Sequence, residues 1–107
     1  MTISDIINAI NNKNIRISNH ADEEAQSDSL FFDDIINSIY NGKIIEKYPE
    51  DKPYPSCLIL SHTLKGYPIH TVWGYNLENG WAVLITVYRP DPKRWIDWKK
   101  RKKNDSF

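Results

Sequence analysis

Cysteine is nearly missing from this chain of 107 residues. Cys57 stands alone, so no intramolecular disulfide can form and a reducing, cytoplasmic setting is expected. Long apolar runs are missing too. The longest unbroken one, Trp81 to Ile85, falls far short of the roughly 20 residues that span a bilayer. The N-terminus has no charged segment leading into an apolar core, which argues against a secretory signal and against a membrane partner. Histidine is available at three positions, yet no pair has the C-x₂-C or H-x₃-H spacing of transition-metal ligands. Neither a metal nor an organic cofactor is expected. No internal repeat is visible.

What is present is a globular composition: 40% apolar and 26% charged residues, enough length for one core, and four Trp with six Tyr. Aromatic rings in that number anchor cores and also suit surfaces that bind proteins or bases. The formal net charge of zero hides a split. Residues 1–88 carry six basic and eleven acidic side chains, net −5, whereas residues 89–107 carry eight and three, net +5. A basic block of this kind is a solvated tail or an arm for polyanions. The expected organisation is one α+β domain over residues 1–98 and a basic C-terminal tail over 99–107.

Ile3, Ile6, Ile7 and Ile10 recur at helical spacing, with Ser4 and Asp5 suited to the first turn. Ile15 to Ile17 reads as an extended link. Ser18 or Asn19 caps a second, weaker helix from about His20 to Ser27, and Phe32, Ile35, Ile36 and Ile39 mark a third. After Gly42 the period changes to that of strands: Lys43 to Tyr48, Cys57 to His62, Tyr67 to Tyr75 and Trp81 to Tyr88. Three prolines between Pro49 and Pro55 exclude a central strand there. Asn79-Gly80 signals a tight hairpin. Two to three N-terminal helices on a four-stranded antiparallel sheet are the predicted architecture. Pro90 to Trp98 suggests a short helical turn packed by Trp95 and Trp98.

His70 interrupts an otherwise apolar strand and titrates near neutral pH. Alternation places it with Val72 and Gly74, and groups Leu84, Thr86 and Tyr88 on one face of the last strand. A two-residue Asn79-Gly80 turn pairs Thr71 with Tyr88; a loop one residue longer pairs His70 with Tyr88, and one residue of slip moves every side chain across the sheet. His70 is therefore either a core residue or a chemical one. His20, at the start of the second helix, is either a surface residue or a general base. His62 belongs to a turn, and Cys57 opens an apolar strand as a small hydrophobe. Thr86, Tyr88, Arg89, Lys93 and Arg94 gather hydrogen-bond donors and cations, beside Trp95 and Trp98. Cleaving RNA needs a base for the 2′-hydroxyl, an acid for the leaving 5′-oxygen and fixed cations for the phosphorane-like transition state. His, Tyr, Arg and Lys suit those roles, and aromatics stack bases.

Ser18-x-His20-Ala21, Asp33-Asp34-Ile35, Gly42-x-Ile44-Ile45, Tyr48-Pro49-x-Asp51-x-Pro53-x-Pro55-Ser56-Cys57-Leu58, Pro68-x-His70-x-Val72 and Thr86-Val87-Tyr88-x-Pro90-Asp91 occur in that order. Over about residues 15 to 95 this set resembles a bacterial family of small domains, originally of unknown function, found beside YgiT-type zinc-finger antitoxins. The resemblance implies a RelE/barnase-like fold and an MqsR-like toxin of a type II toxin–antitoxin system. It further implies a metal-independent endoribonuclease (mRNA interferase) whose partners are RNA and a cognate antitoxin. The shared polar positions match His20, His70, Thr86 and Tyr88 as catalytic, with Arg89, Lys93 and Arg94 left to hold phosphate. Many members carry arginines where this chain has Glu24 and Asp28, so its cations come from Arg89 onward. The alternative is a non-catalytic protein- or RNA-binding module on the same fold.

Overall fold

The N-terminal helix forms because its first turn satisfies itself. In the computed structural model, which describes residues 1–103, Thr2 caps helix α1 (Ile3–Asn11) in a reciprocal box. The Thr2 hydroxyl accepts from the Asp5 amide and the Asp5 carboxylate accepts from the Thr2 amide. Ile6, Ala9 and Ile10 form its buried stripe. Helix α2 (Asn19–Ser27) begins at Ser18, and α3 (Phe32–Ile39) buries Ile35, Ser38 and Ile39. Asp33 and Asp34 in the first turn of α3 suit the positive end of its dipole.

The sheet has five strands, not the expected four, and it is mixed. Strands β1 (Ile15–Ile17), β2 (Lys43–Tyr48), β3 (Ser56–His62), β4 (Pro68–Asn76) and β5 (Trp81–Tyr88) lie in the order β1-β5-β4-β3-β2. The segment read as a link is β1, which pairs parallel to β5 with Ile15 opposite Ala82 and Ile17 opposite Leu84. Three residues are too few to display alternation, so only tertiary pairing reveals this strand. The helices cover one face, where Ile6, Ala21, Ile35 and Ile39 pack on Ile59, Ile69, Trp73, Leu84 and Val87.

Strand β1 covers the outer edge of β5 only as far as Leu84, and α2 completes that edge. The Ser18 amide donates to the Leu84 carbonyl, and the Ser18 hydroxyl donates to the Ile85 carbonyl at 2.8 Å while accepting from the Ala21 amide. Farther along, Glu24 accepts from the Val87 amide and Asp28 from the Arg89 amide. An edge strand with open amides invites pairing with other chains, and here the helix closes it.

Two β-bulges set which side chains face away from the helices. In β5 the register shifts between Val72/Thr86 and Trp73/Leu84, leaving Ile85 unpaired. The grouping of Leu84 with Thr86 and Tyr88 is thereby corrected: Leu84 and Val87 join the helix-side core, and Tyr88 lies opposite His70. The turn differs as well. Asn76 pairs with Trp81, so the loop is Leu77–Gly80, with Gly80 at φ 74°. That longer loop alone would set Ile69 opposite Tyr88; the bulge restores His70. A second bulge at Ile45 leaves Ile44 opposite Ile59 but puts Glu46 opposite Leu58, on His70's side.

The expected helical turn over 90–98 is replaced by a closed turn and a small hairpin. The Arg94 amide donates to the Asp91 carbonyl, then β6 (Trp95–Ile96) pairs with β7 (Lys100–Arg101). Asp97 and Trp98 adopt positive φ at its tip, a conformation no periodicity announces. Of the expected tail over 99–107, residues 104–107 lie outside the described residues.

Ser18→Ala removes the α2 cap and a donor to β5 together. Urea unfolding is expected to show a loss of about 1–2 kcal/mol with an unchanged m-value. A loss within a few tenths would mean that the edge of β5 is held without Ser18.

Candidate active site

His70 is wholly buried, at 0% exposure, on the face of the sheet away from the helices. Such an imidazole needs partners for both nitrogens, because an unmade buried hydrogen bond costs about 1–3 kcal/mol. It has both. Nε2 lies 2.7 Å from the Trp98 carbonyl and Nδ1 lies 3.1 Å from the Tyr88 hydroxyl. A carbonyl only accepts, so Nε2 carries the proton. In the neutral ring Nδ1 then accepts from Tyr88. The Trp95 ring meets the imidazole edge-on at 4.5 Å between centroids and is itself 5% exposed. Burial holds the His70 pKa below its ordinary value, against the Trp98 carbonyl and Glu46, which favour the charged form.

The hairpin that covers His70 is latched to the sheet by one ion pair. Arg101 grips Glu46 with Nε at 2.9 Å from one oxygen and Nη2 at 3.1 Å from the other, and its guanidinium lies 4.7 Å over the Trp95 ring. Tyr48 donates to the same carboxylate. Burial raises the Glu46 pKa, but hydrogen bonds from Arg101 and Tyr48 outweigh it and keep the carboxyl below its ordinary range. Tyr48 is pushed up to about 12 by burial and by Glu46. Arg101 stays protonated.

Beside this buried pair opens a cavity of about 370 Å³. Tyr88, Arg89, Asp91, Arg94, Trp95 and Arg101 line it, three guanidiniums against one carboxylate. Tyr88 thus links the cavity to the imidazole behind it. Its hydroxyl pKa is raised by burial, with Glu46 and Glu24 adding to the effect and Arg101 opposing it, so the phenol keeps its proton. While His70 is neutral the one hydroxyl proton is held by Nδ1; once Nδ1 is protonated and donates to the phenol oxygen, that proton is free to turn to an anion in the arginine-lined cavity.

His20 and Thr86 form a separate group. His20, with a side chain 68% exposed, places Nε2 at 3.0 Å from Glu24, whose same oxygen accepts from the Thr86 hydroxyl. Of the cations expected to hold phosphate, Arg89 and Arg94 line the cavity and Lys93 does not. Arg89 also donates through Nε to the Asp28 carbonyl. Cys57 is buried, with its thiol pushed up to about 11, which suits a hydrophobe and not a nucleophile. Sequence reasoning missed Glu46, Tyr48 and Arg101. Arg101 sits in a lysine-rich run that reads as tail, and Glu46 reaches this face only through an unannounced bulge. Among the described residues, no three or more His, Cys, Asp or Glu side chains converge as metal ligands, and no helix is long and apolar enough to cross a membrane.

The family described as "Domain of unknown function (DUF4258)" matches residues 17–89, and the chain belongs to it. The match contains His20, His70, Thr86, Tyr88 and Arg89, and ends just before the segment that covers His70. No curated protein and no solved structure matches the chain.

A histidine whose pKa is lowered by folding ties stability to pH. In the unfolded chain the imidazole titrates near 6.5, and in the folded protein it titrates below that. As pH falls through about 6.5 the unfolded state binds more protons, so this contribution is complete above that pH and declines below it. Urea unfolding at about pH 7.5 and about pH 5.5 is expected to show the decline in wild type, with a flatter response in His70→Gln. Equal slopes would mean that His70 is not held neutral by burial.

Proposed function

We propose that this protein is the toxin of a type II toxin–antitoxin pair, with a RelE/barnase-like fold, acting as a metal-independent endoribonuclease on mRNA. The observation that carries this reading is Tyr88, whose side chain lines a three-arginine cavity while hydrogen-bonded to buried His70. Arg89 and Arg94 hold the scissile phosphate there, and Lys93 adds to the positive field outside it. The 2′-hydroxyl loses its proton to a base, O2′ bonds to phosphorus, and the 5′-oxygen leaves with a proton, giving a 2′,3′-cyclic phosphate. His70 reaches the substrate only through Tyr88. When His70 is protonated, Nδ1 donates to the phenol oxygen, and the Tyr88 proton turns toward the cavity and the leaving oxygen. His20, carried by Glu24 beside Thr86, is the second acid–base group.

Arg101 couples binding to this proton. Glu46 favours charged His70 and Arg101 opposes it. A phosphate that draws Arg101 toward itself leaves Glu46 to favour the imidazolium. The partners under this reading are RNA and a cognate antitoxin of the small YgiT zinc-finger type, with no membrane. The setting is the cytoplasm.

A second reading has its own support. Both nitrogens of His70 are occupied and its ring is inaccessible, as in a purely structural histidine. On that reading the chain is a non-catalytic binding module.

Purified protein with a long RNA in EDTA separates the two. Cleavage to cyclic-phosphate ends is expected, with Tyr88→Phe and His70→Ala slowed about 10²–10⁴-fold. Arg89→Ala with Arg94→Ala is expected to flatten the salt dependence of RNA binding by about two units of log–log slope. On expression, growth arrest relieved by the antitoxin is expected. RNA left intact by wild type favours the binding module; equal cleavage by wild type and Tyr88→Phe removes Tyr88 from the chemistry.

A further inference from the structure

At the other end of β5, on the same face of the sheet as His70 and Tyr88, lies a second cavity, of about 160 Å³. Arg16, Tyr54, Asn76, Asn79, Trp81 and Val83 line it. Its size is that of a single ring, since a cavity of about 150 Å³ admits benzene. Two aromatic side chains supply stacking surface, and the Arg16 guanidinium lies 5.4 Å over Trp81.

The polar atoms of this cavity have a defined sense. Asn76 Oδ1 accepts from the Glu78 amide and Asn79 Oδ1 accepts from the Trp81 amide, each at 3.0 Å. A backbone amide can be met only by an acceptor, so both carboxamides have their oxygen turned to the loop and their NH₂ left over. Neither NH₂ has a partner among the described residues. With Arg16 and the Trp81 indole, both donors only, four of the lining side chains carry donors, and the Tyr54 hydroxyl serves in either sense.

We propose that this cavity is a base-binding subsite selecting a carbonyl-rich pyrimidine, uracil, in single-stranded RNA. Uracil presents two ring carbonyls to donors. Cytosine puts an amino donor where uracil has its second carbonyl, and an acceptor where uracil has N3–H, so a cavity donor placed for that carbonyl meets a donor in cytosine; adenine and guanine both exceed a single ring. Seven residues of strand at about 3.3 Å each place Trp81 roughly 20 Å from Tyr88. The base bound there therefore lies several nucleotides along the strand from the one at the arginine cavity. This rests on the ribonuclease reading for its choice of RNA but concerns a different end of the sheet.

The test separates binding from cleavage by using 2′-O-methyl hexanucleotides, which lack the attacking hydroxyl. Fluorescence anisotropy with the full chain is expected to show hexauridylate bound about tenfold more tightly than hexacytidylate, and Trp81→Leu is expected to lose about tenfold. Asn76→Asp with Asn79→Asp keeps the oxygens that accept from the loop but removes both donors. The uridylate-to-cytidylate ratio is expected to fall to one or to reverse, whatever the added negative charge does to overall affinity. A wild type with no uridylate preference, or a double variant with an unchanged ratio, overturns the subsite. Cleavage of long RNA is measured in parallel. Cleavage without uridylate preference removes the subsite and leaves the ribonuclease reading standing; preference lost in the double variant without any cleavage supports the subsite and removes that reading.

Discussion

The unpaired residue at Ile85 is the constraint on which the site depends. A strand alternates faces, so one extra residue inverts every side chain beyond it. Before the bulge Leu84 faces the helices; after it Tyr88 stands opposite His70 and Val87 takes the core side. The equivalent irregularity at Ile45 turns Glu46 to the same face. His70, Tyr88 and Glu46 are therefore brought together by two local departures from a regular ladder. Their proximity then permits the burial of His70, because the phenol and the hairpin carbonyl satisfy both ring nitrogens.

A second constraint explains the acidic character of α2. Beyond Leu84 the outer edge of β5 has no neighbouring strand, and its amides need acceptors. Glu24 and Asp28 provide them, at Val87 and Arg89. Arginine at either position would supply donors to donors. The carboxylates are thus part of how the sheet ends, and Glu24 also takes the His20 and Thr86 contacts. With the helix committed to this role, positive charge at the Tyr88 end of the sheet has to come from elsewhere in the chain.

Much of the frame was legible in the residues. The isoleucine spacing of α1 and α3 and the apolar runs of β3 and β5 are burial patterns, and burial is what hydrophobic periodicity records. Strand β1 was not legible because its three residues are strand by pairing alone. Register could be narrowed but not chosen: the two loop lengths considered for Asn79-Gly80 differ by one residue, and the structure reaches the His70–Tyr88 pair by a longer loop and a compensating bulge. Neither leaves a mark in composition. Arg101 was illegible for another reason. Among Lys99, Lys100, Lys102 and Lys103 it looks like one more solvated cation, and only the planar fork that fits Glu46 and lies on Trp95 distinguishes it.

The charge split of the sequence acquires a spatial meaning from that same hairpin. A body of net −5 repels polyanions at long range, and a segment of net +5 left in solvent would attract them without orientation. Folding residues 89–101 of it back against β4 and β5 brings Arg89, Arg94 and Arg101 around one hydroxyl. Arg101 shares its charge with Glu46, so the resting cavity is less positive than its three guanidiniums suggest. An anion must compete with a bidentate carboxylate to engage the third.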